Sequence, residues 1–189
     1  MEGSTSGGIL RLRADARRNR EKLLAAAASA FAEAGTAASL EAIAKRAGVG
    51  IGTLYRHFPT REALIEAAYA NEVDRLCASA PELLAAHPPD VALAEWMDGF
   101  VSYAAAKRGM KSALQAVGAG ESHVFAGARA KLLEAIAMLL AAGVDAGTLR
   151  SDVDADDVLR AMGSVWLVDD AEQARTLLRL LMDGLRYGT

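Results

Sequence analysis

Apolar residues recur at three- and four-residue spacing along most of the chain, a period that predicts helices rather than strands. From Asp15 onward Leu23, Leu24, Ala27, Ala28, Phe31 and Ala32 line one face of a first helix, and Gly35 can end it in the left-handed conformation. Ser39 is placed to cap a short second helix, Leu40 to Ala47, with Leu40, Ile43, Ala44 and Ala47 on its apolar side. Gly48 turns the chain into a third helix, roughly Gly50 to Phe58, that buries Leu54 and Phe58. Pro59 bars simple continuation, and Thr60 can cap a fourth helix reaching about Ala78.

Pro81, Pro88 and Pro89 mark the next break. A helix from Val91 to Lys107 follows, with Trp96, Met97, Phe100, Val101 and Ala104 on a broad face, and then a shorter segment from Gly109 to Val117. Gly118, Gly120 and Gly127 bracket a loose stretch. Ala128 to Ala142 is apolar through Leu132, Leu133, Ile136, Leu139 and Leu140. Asp154 can cap a helix that carries Asp156 and Asp157 in its first turn and runs to about Val168. A final helix spans Ala171 to Leu185. The expected fold is all-α, with about nine helices. An N-terminal three-helix helix-turn-helix domain precedes a larger C-terminal helical domain, which the resemblance given below marks as regulatory. The expected divisions are a flexible basic arm over 1–13, the helix-turn-helix over 14–60 and the helical body over 61–189.

Composition supports helices: aromatics are only 5% of the 189 residues, while hydrophobic residues make up 52%. No apolar run reaches the roughly 18 residues of a membrane span, and Met1 to Gly8 lacks the apolar core of a secretory signal. Cys77 is the single cysteine, so no intrachain disulfide can form and a reducing, cytoplasmic setting is expected. His57, His87 and His123 lack metal-ligand spacing. With no nucleophile–base pair, phosphate loop or dinucleotide fingerprint either, neither enzyme activity nor a metal or cofactor is expected.

Charge adds what the period cannot. Net charge is −3, but residues 1–60 carry a net of +4 and residues 61–189 a net of −7. Arg11, Arg13, Arg17, Arg18 and Arg20 crowd the start. Such a basic head fits a polyanionic partner, and it equally fits a solvated helix face with a basic tail.

The run Leu40-Glu-Ala-Ile-Ala-Lys-Arg-Ala-Gly-Val-Gly-Ile-Gly-Thr-Leu-Tyr-Arg-His-Phe-Pro-Thr-Arg-Glu-Ala-Leu64 resembles the DNA-binding domain of TetR-family transcriptional regulators. The resemblance covers residues 14–69. A looser one, from Glu95-Trp-Met-Asp-Gly-Phe100 to Leu181-Met-Asp-Gly-Leu185, is to the family's ligand-sensing C-terminal domain. It implies a dimeric regulator, usually a repressor, released from a palindromic double-stranded DNA operator by a small apolar or amphipathic ligand. A protein-interaction adaptor that retains the helix-turn-helix as scaffold is the rival.

Within the helix-turn-helix the second helix of the motif enters the major groove. Gly52 then lets backbone approach DNA, and Thr53 offers a hydroxyl and a methyl. Tyr55 and His57 can reach phosphates across a groove wall, while Arg56 suits bidentate reading of guanine. Ser39, Lys45, Thr60 and Arg61 are candidate backbone contacts, and Arg17 and Arg18 can follow the adjacent strand. Gly50 stands where many family members have Ser or Thr, which removes one hydroxyl contact.

The resemblance also assigns the body. The last two helices are expected to form a four-helix bundle with a second copy through Val158, Met162, Val165, Leu177, Leu178, Leu181, Met182 and Leu185. Trp96, Met97, Phe100, Tyr103, Met110, Leu114, Val117, Phe125, Met138 and Trp166 are candidate lining for an apolar pocket, with His123 and Glu121 as polar anchors. Plain core packing accounts for the same residues in both sets.

Overall fold

A computed structural model describes residues 5–116, 123–168 and 170–186; for 5–12, 114, 116, 123–126, 166 and 167 it describes the backbone alone. The described residues form eight α-helices: α1 (Thr5–Ala34), α2 (Leu40–Arg46), α3 (Ile51–His57), α4 (Arg61–Ala86), α5 (Pro89–Ala116), α6 (His123–Asp145), α7 (Ala155–Met162) and α8 (Ala171–Arg186). Short 3-10 turns occupy Gly35–Ala37 and Gly163–Leu167. Packing divides the chain into two units: 1–69 with 109–120, and 70–108 with 121–189.

In the first unit α1 packs on α2, and α2 on α3. Leu23, Leu24, Phe31, Ile43, Leu54, Leu64 and Ile65 are fully enclosed. Three side-chain and backbone devices set the helix boundaries. Ser39 Oγ accepts the Ala42 N–H at 3.0 Å at the start of α2. Gly48, at φ +69°, reverses the chain toward α3. Thr60 Oγ1 accepts the Ala63 N–H at 3.1 Å at the start of α4. The helix α1 begins at Thr5 rather than Asp15; Leu10, Arg11, Leu12 and Arg13 favour the helical state.

Two expected breaks are absent. The helix α4 continues through Pro81 to Ala86. Five residues before Pro81, the Leu76 carbonyl accepts both Trp96 Nε1–H and the Ser79 hydroxyl at 2.8 Å. Likewise 89–116 is one helix, so eight helices replace about nine. Gly109 does not interrupt α5; it lies so close to α1 that an added Cβ would sit 1.8 Å from the Phe31 carbonyl oxygen.

The second unit encloses Trp96, Met97 and Phe100 of α5, with Ile136 and Leu139 of α6, Val158 and Met162 of α7 and Met182 of α8. Trp96, Phe100 and Tyr103 stack in tilted pairs, with ring centroids 6.3 and 5.3 Å apart. Surface ion pairs tie the helices together: Lys131 to Asp74, Arg129 to Asp156 and Arg175 to Asp98. The helix α7 opens with a full capping box, Asp154 accepting from Asp157 N and Asp157 Oδ2 accepting from Asp154 N. It ends at Met162 in a 3-10 turn rather than continuing to Val168.

Candidate nucleic-acid interface

The seven-residue helix α3 turns Leu54 inward, and its C-cap Phe58 is buried. With 3.6 residues per turn, the opposite side presents Ile51, Gly52, Tyr55 and Arg56, all exposed. Thr53 and His57 are half-buried at the flanks, and the His57 ring tilts against Phe58 at 6.1 Å. Gly50 is the N-cap with extended backbone and no side-chain bond. Lys45, in the last turn of α2, is exposed as well.

The cations of this unit fall into two groups. Arg17 pairs with Glu21 at 3.5 Å, Arg18 with Asp15, and Arg46 with Glu33 at 2.9 Å. That last guanidinium holds the Glu33 carboxyl below its ordinary pKa, chiefly by hydrogen bonding. Arg20 lies over the Phe58 ring, 5.5 Å from its centroid. Arg13, Lys22, Lys45 and Arg56, by contrast, make no ion pair among the described residues.

Arg61 does not point outward as a phosphate ligand would. Its Nη1 donates to the Ala38 carbonyl at 2.6 Å and its Nη2 to the Thr36 carbonyl at 3.2 Å. The guanidinium also lies over Phe31, 5.2 Å from the ring centroid. It clamps the α1–α2 connection to the start of α4, directly beside the Ser39 cap. Thr60 is exposed and is used as the α4 cap; the Glu62 backbone N–H, and after it the Thr60 side chain, keep the Glu62 carboxyl below its usual pKa.

Five of the expected ligand-pocket residues are buried among the described residues. Trp96, Met97, Phe100 and Tyr103 are buried in the second unit, whereas Met110 is buried in the first. Met138 is 48% exposed on the outer side of α6, because Leu132, Ile136 and Leu139 take the inner side. It lines no interior. Val117 and Glu121, and the side chains of Leu114, His123, Phe125 and Trp166, lie outside the described residues. A groove of about 320 Å³ runs between α5 and α8, with Met97, Leu178 and Met182 on its floor and Asp98, Arg175 and Arg179 along its rim.

The dimer assignment needs correction. Val158, Met162, Val165, Leu178, Met182 and Leu185 are at most 5% exposed within this single chain, so they are core positions unavailable to a partner. Leu177 and Leu181 remain half-exposed. Leu180, absent from the sequence-based set, is 65% exposed. Its spacing of three from Leu177 on the same helix was the signal that marks it.

Two family models match the chain. The family model for bacterial regulatory proteins of the tetR family matches residues 23–68. The model for the C-terminal domain of SbtR-like transcriptional regulators matches residues 88–187. The chain is therefore a bacterial transcriptional regulator, and it belongs to the TetR family. A crystal structure of a TetR transcriptional regulator of Streptomyces coelicolor is 48% identical, with a TM-score of 0.84 over 90% of this chain and 99% of that one. A TetR transcription regulatory protein of Mycobacterium vanbaalenii is 40% identical, with a TM-score of 0.77 over 93% and 99%. The HTH-type transcriptional repressor KstR of Rhodococcus jostii is 39% identical over 67 residues, which span 34% of this chain and about a third (32%) of that relative.

Proposed function

We propose that the protein is a homodimeric repressor that reads a palindromic operator through α3 and is released by a small apolar or amphipathic ligand held in its helical body. The solvent face of α3 carries this reading: Tyr55 and Arg56 stand exposed without an ion pair among the described residues, while most neighbouring arginines are engaged within the chain. A recognition helix needs such uncommitted donors, because a bidentate Arg–guanine contact contributes about 1–3 kcal/mol of discrimination. Gly50, Gly52, Thr53 and His57 complete the groove-facing set. Ser39, Lys45, Thr60, Arg17 and Arg18 lie on the phosphates, the two arginines exchanging carboxylate partners for DNA. The DNA-binding domain is 14–60, behind a basic arm, and 61–189 senses and dimerises.

Dimerisation places Leu177, Leu180 and Leu181 of α8 against the same residues of a second copy, the self-complementary arrangement that a palindrome demands. Among the described residues no helix is long and apolar enough to cross a membrane, and the protein acts on DNA in the cytoplasm. Selection of random duplexes by the purified protein at two salt concentrations tests the proposal. A two-fold symmetric motif whose affinity falls steeply with salt supports it; weak binding indifferent to sequence at both salts refutes it.

A further inference from the structure

We infer that Ile51 is a specificity-determining residue: it packs on the C5-methyl of a thymine in each operator half-site, given the DNA-reading function proposed above. Ile51 is 37% exposed and Tyr55 47% exposed, and they are the large apolar side chains that the first unit leaves in water among the described residues. One helical turn apart, they stand side by side on α3.

A single exposed apolar residue is ordinary on a protein surface. Here the surroundings make it informative. Gly50 and Gly52 flank Ile51, Gly48 precedes them, and a Cβ built on any of the three meets nothing within 4 Å. The chain itself therefore leaves this rim bare. The unpaired cations Lys45 and Arg56 are in the same head, whose first 60 residues carry a net +4. The occupant must thus be anionic around an apolar spot. A DNA major groove meets that description at thymine, whose C5-methyl is the apolar group on the groove floor. Guanine, cytosine and phosphate offer nothing apolar there. The glycines on either side let α3 approach closely, and the β-branched Ile51 is held to few rotamers, so little side-chain freedom is lost on contact.

The test replaces each thymine of a selected operator half-site, in turn, by deoxyuridine, which removes only the methyl group. Wild-type protein and Ile51→Ala are titrated by fluorescence anisotropy. Loss of one buried methyl corresponds to about fourfold weaker binding. One thymine per half-site is expected to show that loss with the wild type, and the same uracil is expected to change affinity by less than about 1.5-fold with Ile51→Ala. Uracil that is silent at every position, or equally costly to both proteins, overturns the assignment while leaving the DNA-reading function intact. Absence of any selected motif refutes that function and this assignment with it. Ile51 is exposed, so a melting temperature near wild type for Ile51→Ala verifies that the variant is folded.

Discussion

Replacing Arg61 separates two roles that its sequence position confounds. As the second residue after Pro59, next to a helix start, it reads as a phosphate ligand; in the structure it is an internal clamp. Its bond to the Ala38 carbonyl is 2.6 Å and part-buried, and its bond to the Thr36 carbonyl is 3.2 Å and exposed. Charge-assisted hydrogen bonds contribute about 1.5–3 kcal/mol each, and an accessible cation–π contact about 0.5–1 kcal/mol. The exposed bond falls at or below the low end. Arg61→Gln should therefore cost about 2–3 kcal/mol, or a fall of roughly 5–10 °C in melting temperature for a chain of this size. Arg61→Lys keeps the charge but loses the planar fork, so it should fall between the two. The second assay is operator affinity as a function of salt. Losing a phosphate contact lowers the slope of log affinity against log salt by about one, and Lys restores it. Loss of a clamp weakens binding in both variants through displacement of the Ser39 cap and leaves the slope unchanged. An Arg61→Gln protein that melts with the wild type and shows the reduced slope would refute the clamp.

Three further outcomes follow from the packing. Gly109→Ala should destabilise by about 1–3 kcal/mol in urea unfolding, because its Cβ meets backbone at Phe31, whereas Gly127→Ala, with open space around it, should stabilise by up to about 1 kcal/mol. Leu180→Glu should shift sedimentation from dimer to monomer without lowering the monomer's helicity; an unchanged dimer would remove α8 from the interface. Burial, then Asp74, push the Cys77 thiol up to about 11. At pH 8 it should react with iodoacetamide at least about a hundredfold more slowly than a free cysteine, and the rate should climb as pH approaches 11. Rapid alkylation at pH 8 would contradict that burial.

Local chemistry made much of this legible. The Ser39 and Asp154 caps and the left-handed Gly35 and Gly48 need only neighbouring residues, and each stands where its side chain, or lack of one, dictates. Long-range packing did not show. Pro81 and Gly109 are helix breakers by propensity, yet α4 and α5 run through them, and Gly109 serves a close approach to α1. Periodicity identified Leu178 and Met182 as buried, yet could not say whether the same chain or a second one buries them. At α3, the motif pointed to Tyr55 and Arg56, while Ile51 became visible only once the bare rim around it was known. The carbonyls of Thr36 and Ala38 within reach of the Arg61 guanidinium could not be read from its sequence position.

The most direct measurement is a repeat of the random-duplex selection with Arg56→Ala. If α3 reads sequence through its solvent face, the wild type yields a symmetric motif, and the variant relaxes preference at one guanine per half-site while keeping the remaining positions. Discrimination at that guanine should drop by about 1–3 kcal/mol, roughly five- to 150-fold. An identical motif with undiminished preference at every position would contradict the role of α3 as the reading element.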